Sequence, residues 1–245
     1  MDMSEGEEIR RQKIEDQVYA VSHPGGREHN EDHFLATRWD HGWILAVADG
    51  LGGHRAGEVA SRCAIESLVA SLSRMEGQPT EALFRRWFQE AHEAIRLKAE
   101  GPWTGMGTTL VAAGIAGSAA LFAHTGDSRA YVIRDRILFH TRDHSVVQDL
   151  IDGGILTEEE AHRHPMKNML TAALGIDFSV TVEKFFLASG DTVLCASDGF
   201  YDFISEKQLV DTLHTVPFPD CGEVLLHQAL EETTDNVTFV IYRVP

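Results

Sequence analysis

The sequence predicts an α+β fold, a sandwich built mostly of antiparallel sheet. Strand-like and helix-like stretches come in blocks, where a doubly wound parallel sheet would alternate them. Neighbouring strand-like runs are joined by Ala116-Gly117-Ser118 and by Arg134-Asp135-Arg136, both of hairpin length. Several apolar runs also stop at an acid: Trp43–Ala48 at Asp49-Gly50, Ala119–Gly126 at Asp127, and Thr192–Ser197 at Asp198-Gly199.

In chain order, residues 1–15 are charged and without period, and are expected as a flexible extension outside a domain spanning 16–245. Strands are expected at Val18–Ser22, His33–Thr37 and Trp43–Ala48. From His54 to Met75, Ile65, Leu68, Val69 and Leu72 recur at helical spacing, as do Phe84, Trp87, Phe88, Ala91 and Ile95 between Glu81 and Lys98. Two amphipathic helices in succession follow, their aromatic stripe serving as packing surface. Four short strands come next, at Thr108–Ile115, Ala119–His124, Ala130–Ile133 and Ile137–His140. Residues 143–175 are polar and rich in His and Glu between apolar segments, which predicts an inserted helical flap. Strands resume at Val180–Leu187 and Thr192–Ala196, a helical pair spans 205–231, and Val237–Val244 is the last strand.

The 245 residues carry 43% hydrophobic content, enough for a substantial core. With 38 acidic against 21 basic residues the net charge is −17, which repels nucleic acid and anionic membrane. The acidic N-terminus and the absence of a long apolar run predict a cytoplasmic protein with no membrane segment. Cys63, Cys195 and Cys221 are widely spaced and odd in number, so they support neither a disulfide framework nor a zinc knuckle.

Asp49, Asp127, Asp198 and Asp235, all at strand boundaries, point to an oxygen-ligand cluster for hard cations, magnesium or manganese. Each Asp-Gly taken alone reads as a turn, with Gly50 turning the backbone and exposing its carbonyl. Bound cations would also offset the chain's negative charge where a phosphate has to bind. His140 and His162-Arg163-His164 read as solvated surface groups in preference to zinc ligands. A serine hydrolase built on Ser128 or Ser145 lacks a Gly-x-Ser-x-Gly elbow.

Seven motifs then fall in order: Gly26-Arg27-Glu28-His29-Asn30-Glu31-Asp32, Val47-Ala48-Asp49-Gly50-Leu51-Gly52-Gly53-His54, Gly105-Met106-Gly107-Thr108-Thr109, Gly126-Asp127-Ser128-Arg129, Asp143-His144-Ser145, Ser197-Asp198-Gly199 and Asp235-Asn236-Val237-Thr238. Together they resemble the type 2C metal-dependent serine/threonine protein phosphatases, in their bacterial branch, over residues 17–243. The resemblance implies a central β-sandwich of two antiparallel sheets flanked by helix pairs, with a flap over about 145–175. It implies two to three divalent cations, manganese or magnesium, and hydrolysis of phosphoserine and phosphothreonine by a hydroxide bridging two of them. Asp49 would bridge both ions, the Gly50 carbonyl would bind one, and Asp198 and Asp235 would complete the other. Asp127, with Asp198 and Asp202, resembles a weaker third site. Arg27 matches the phosphate-binding arginine, while Glu31 and Asp32 match acids that orient metal-bound waters. Phosphorylated proteins as substrates, an opposing Ser/Thr kinase and a monomeric state complete the expectation.

Two positions depart from the family pattern. Leu51 stands where eukaryotic relatives carry a His proposed as general acid, and Thr125 stands where Val is usual before Gly-Asp-Ser-Arg. Two competing readings are a catalytically weak phosphatase-like module that binds phosphoproteins, and a phosphatase of small phosphoesters. Loss of a metal aspartate would mark the former, and all are present.

Overall fold

A computed structural model describes residues 9–14, 17–39, 42–52 and 56–245. In chain order the elements are β1 (Arg10–Ile14), β2 (Val18–His23), β3 (Asp32–Trp39), β4 (Gly42–Leu51), α1 (Ala56–Leu72), α2 (Glu81–Lys98), a 3-10 turn (Gly101–Trp103), β5 (Gly107–Thr108), β6 (Leu110–Ala116), β7 (Ala119–Thr125), β8 (Arg129–Ile133), β9 (Ile137–His140), α3 (Val146–Asp152), α4 (Glu158–His162), β10 (Thr181–Phe186), β11 (Thr192–Ala196), α5 (Asp198–Tyr201), α6 (Glu206–Thr215), α7 (Cys221–Leu230) and β12 (Val237–Arg243).

The strands form two six-stranded sheets, one in the order β1-β2-β12-β11-β8-β9, the other β10-β7-β6-β4-β3 with β5 paired to β4. Every pairing between them is antiparallel. Both faces of each sheet are covered, so the central strands read as continuous apolar runs with no alternation. Inward-facing Leu45, Val47, Phe122, Val132, Val193 and Val240 pack sheet against sheet. On the outer face of the second sheet, Leu68 of α1 and Phe84, Trp87, Phe88 and Ile95 of α2 bury themselves over Ile44, Ala46 and Leu110. On the other side, Phe200, Leu209, Leu213 and Leu225 of α5–α7 cover Tyr19, Leu194 and Phe239. Each such side chain contributes about 1.5–3 kcal/mol on burial. The layer order is therefore helix, sheet, sheet, helix.

Local signals start the helices where they begin. The Thr80 hydroxyl accepts the Leu83 amide at the start of α2, and a Ser205–Gln208 capping box opens α6.

Two expectations are corrected. Arg10–Ile14 lies within the segment expected as an extension, yet it pairs with β2 as the sheet's edge. Its charged composition suits an edge strand, where polar side chains discourage further pairing. Residues 1–8 of that extension lie outside the described residues, as do Gly53 and His54 of the second motif. The strand expected at Thr108–Ile115 is instead two: β5 turns aside to pair Gly107 and Thr108 with Leu51 and Gly50, while β6 continues the main sheet.

Segment 145–175 carries α3 and α4. Ser145 bridges to Leu170, closing the segment on itself, and Leu174 bridges to Thr108 of β5. At its root the His124 and His144 rings stack at 4.6 Å, bonded respectively to the Arg142 carbonyl and the Thr181 hydroxyl.

Candidate metal centre

Strand register brings the acids to one end of the sandwich. Asp49, near the end of β4, lies directly across from Asp32 at the start of β3. Val47 opposes Val111 near the start of β6, and Leu110 there opposes Thr125, two residues before Asp127. In the facing sheet Ala196 opposes both Phe239 and Arg129, so Asp198, Asp235 and Asp127 emerge together. Arg27, Glu31, Asp49, Gly50, Asp127, Asp198 and Asp235 line one cleft of about 490 Å³.

The two Asp-Gly dipeptides are not turns. Gly50 continues β4, and a Cβ there would meet the Gly57 carbonyl of α1 at 2.3 Å. Gly199 lies within α5, and its Cβ would meet the Asn236 carbonyl at 2.0 Å. Both glycines are required by close approach of a second backbone, which brings each neighbouring aspartate into the cleft.

The sequence motifs contain most of the groups that hold these acids but assign them no role. The Asp49 backbone is gripped from three directions: its amide donates to the Thr109 hydroxyl, and its carbonyl accepts from the Thr108 hydroxyl and the Thr109 amide. The Thr109 hydroxyl in turn meets Ser128 Oγ at 2.6 Å. Asn236 holds the loop between β2 and β3 at three points, accepting from the Glu31 amide and donating to the carbonyls of Pro24 and His29. The Ser197 hydroxyl donates to Asp32 Oδ2, and Arg10 donates to the Asp32 carbonyl. Their signal was the presence of Ser, Thr and Asn beside each acid, residue types that bond backbone groups at close range.

The electrostatics are those of crowded like charges. Burial, then Asp32, Asp198, Asp127 and Asp235, push the Asp49 carboxyl well above its usual range. Burial and Asp198 do the same to Asp127. Asp198 is pushed up to about 6 by burial, Asp235 and Asp202, against a hydrogen bond from Asp49. Asp32, 1% exposed, is pushed up to about 7, chiefly by burial, and its Oδ1 has no partner among the described residues. Burial also raises Glu31. Two neighbouring cations pair with acids of the set, Arg27 with Asp235 at 2.8 Å and Lys167 with Asp202 at 3.0 Å, and Arg129 pairs with Asp143 at 2.8 Å, which leaves Asp32, Asp49, Asp127 and Asp198 without an ion pair among the described residues. Buried acids left without basic partners, as these four are, must hold protons or take up cations. An orphaned carboxylate oxygen and an all-oxygen donor set fit hard divalent ions.

The acids do not form a closed cage. Among the described residues no three Asp, Glu, His or Cys side chains already converge as a ligand set, and Asp235 is turned onto Arg27. Asp127 and Asp202 share a second cavity of about 250 Å³ with Asp198, Arg129, Asp143 and Lys167. Asp202, expected as a ligand, is there held by Lys167. Two residues before Asp127, Thr125 is fully buried with its hydroxyl unpartnered among the described residues, a polar atom that the usual Val would not bring.

A sequence profile of the protein phosphatase 2C family matches residues 21–234. The serine/threonine phosphatase Stp of Listeria monocytogenes is 39% identical over 197 residues, covering 76% of this chain and 78% of that one. The serine/threonine protein phosphatase PstP of Mycobacterium tuberculosis is 36% identical over 220 residues, 88% of this chain but 42% of PstP. Among solved structures, Stp1 of Staphylococcus aureus superposes with a TM-score of 0.85 at 30% identity, covering 100% of this chain and 98% of that one. The catalytic domain of PstP in complex with 2 manganese ions superposes with a TM-score of 0.81 at 34% identity, covering 94% and 98%. The chain belongs to the protein phosphatase 2C family and is a metal-dependent serine/threonine protein phosphatase.

Proposed function

We propose that the acidic cleft binds a pair of divalent cations, manganese or magnesium, and that phosphoserine and phosphothreonine of protein substrates are hydrolysed there. Asp49 would bridge the pair, with the Gly50 carbonyl on one ion and Asp198 and Asp235 on the other. The observation that carries this reading is the set of buried aspartates that raise one another's pKa while Asp32, Asp49, Asp127 and Asp198 make no ion pair with a basic group among the described residues. When bound, such a pair lowers the pKa of water toward neutrality and supplies a nucleophile that no side chain need provide.

The remaining work falls to the chain's own residues. Arg27 is exposed at the rim, and in exchanging Asp235 for substrate its planar fork would bind two phosphoryl oxygens. Glu31 and Asp32, whose Oδ1 is free among the described residues, would accept from water and orient it. Leu51 can donate no proton, so the leaving alkoxide takes its proton from water or from another group. Asp127, with Asp198 and Asp202, would form a weaker third site. A substrate of this kind requires a Ser/Thr kinase to make it, and we read the chain as that kinase's monomeric cytoplasmic counterpart. Among the described residues no helix is long and apolar enough to cross a membrane.

Hydrolysis of a phosphothreonine peptide should stop with chelator and return with manganese. Arg27→Ala should keep the metal stoichiometry seen by calorimetry while raising KM about 10- to 100-fold, the worth of a charge-assisted hydrogen bond. Full activity after exhaustive chelation would refute the two-cation reading, and loss of the metals in Arg27→Ala would refute the role of that residue.

A further inference from the structure

The acidic cleft continues past Leu51, Asn168 and Leu170 into a pocket of about 230 Å³ whose apolar wall is Leu51, Leu170, Ala172, Ala173 and Ile176, with Thr171 and Asp177 at its polar side. That volume is below the range of about 300–1,000 Å³ typical of small-molecule sites and suits a single side chain. Its far wall is built from backbone bonds. Thr108 and Leu174 exchange both amide hydrogen bonds, the Ala173 amide donates to the Asp177 carbonyl, and the Gly175 amide donates to the His92 ring at 3.0 Å. Gly175 adopts φ +86°, and a Cβ there would meet Ile95 at 2.5 Å, so the turn is packed down onto α2. Gly107 lacks the Cβ that would lie 2.7 Å from Ile176 Cδ1, which lets Ile176 lie against β5. Ile176 nevertheless remains 51% exposed.

We infer that this pocket is a specificity subsite that receives an apolar side chain of the phosphorylated segment, two or three residues from the phosphoserine or phosphothreonine. The inference rests on the phosphatase reading of the acidic cleft and adds what the substrate must carry beside its phosphate. Gly50 pairs with Thr108, and Thr108 bridges to Leu174, so the pocket wall stands two strand spacings from the cleft. At about 4.8 Å per spacing that is about 10 Å, the reach of about three extended residues. The occupant follows from this continuity, because a peptide with its phosphate at Arg27 and Asp49 must leave the cleft along one of its sides. A second cavity adjoins the cleft at Asp127, Asn168 and Asp198 and is lined mainly by charged groups, Arg129, Asp143, Glu158, Lys167 and Asp202 among them. The Leu51–Ile176 wall therefore offers the better reward for removing an apolar residue from water.

The experiment uses the manganese-loaded protein and phosphothreonine peptides that differ only in carrying Leu, Ala or Asp at the second or third position on either side of the phosphate. Leu at one of these positions should raise kcat/KM over Ala by on the order of 10- to 100-fold. Ile176→Asp should erase that preference while hydrolysis of an aryl phosphate stays within about twofold of wild type, and Ile176→Leu should keep the preference. Equal rates on all peptides with wild-type protein would overturn the subsite and leave the phosphatase reading intact. So would an Ile176→Asp variant that loses peptide and aryl phosphate hydrolysis in equal measure while Ile176→Leu keeps both. Failure of the wild type to hydrolyse any of these phosphoesters would overturn the phosphatase reading itself, and the subsite with it.

Discussion

The two ends of the acidic cluster are built differently. At the Asp49 end the acids sit in or beside long strands, and Thr108, Thr109 and Asn236 fix the backbone around them. At the Asp127 end the acids sit in a turn and a four-residue helix, held by side chains from elsewhere. Tyr201 donates to the Asp127 carbonyl at 3.0 Å, its ring lies 4.0 Å from the Arg129 guanidinium, and Lys167 reaches from segment 145–175 to Asp202. A ladder-fixed carboxylate keeps one position whatever its charge state. A carboxylate held by a lysine can exchange that partner for another cation. The first arrangement suits ions that must stay in place through turnover, the second an ion that comes and goes.

Substitution of the acids themselves tests this contrast most severely. Asp49→Asn should abolish turnover of a phosphothreonine peptide and lose both tightly held ions by calorimetry. Asp127→Asn should keep those ions and cost about 10- to 100-fold in rate, with more manganese needed for half-maximal activity. Equal losses in the two variants would erase the distinction between the ends.

A smaller effect concerns stability in chelator. Asp32, ordinarily at 3.8, stands near 7 in the metal-free fold, so folding favours its protonated form. Its contribution is complete below pH 3.8 and is lost as the pH rises through about 7. Half-buried His33 and buried His124, lowered to about 3 and about 4 chiefly by burial, act in the opposite sense as the pH falls through 6.5, and His92 and His144 are lowered likewise. Set against Asp32→Asn, which carries the same histidines, the chelated wild type should therefore lose Tm from about pH 4 to about pH 8, and manganese should reverse that loss at the upper end. A chelated Tm that does not fall relative to Asp32→Asn across this window would show that Asp32 is not strained in the fold.

The mildest test is Lys167→Met. The ion pair is partly exposed, and such pairs are worth up to about 1 kcal/mol. Its removal should tighten the weakest manganese-binding step by at most about fivefold and leave the tight pair unchanged. An unaltered titration would mean that Lys167 does not compete for Asp202.

Sandwich and helix pairs were legible because burial on both faces writes long apolar runs, and because α2 places its aromatics at helical spacing. The acids were legible for a related reason: a hydrophilic residue closing an apolar strand stands out. What hid was whatever depended on a distant partner. Gly50 and Gly199 read as turns because Gly57 and the Asn236 carbonyl, which force them to be glycine, come from other elements. Arg10–Ile14 carries no alternation of apolar residues, since an edge strand of Arg, Gln and Lys is stabilised by its ladder with β2. The Lys167–Asp202 pair spans 35 positions, and nothing near either residue announces the other.

Arg10 carries one more consequence. Its guanidinium donates to the Asp32 carbonyl across 22 positions of sequence, yet the stretch by which the family is recognised begins only at residue 21. The recognisable unit and the folding unit therefore have different borders. A chain trimmed to the matched residues would lose Asp235 from the cleft, β12 from the middle of its sheet, β1 from the edge of that sheet and the Arg10 brace on Asp32.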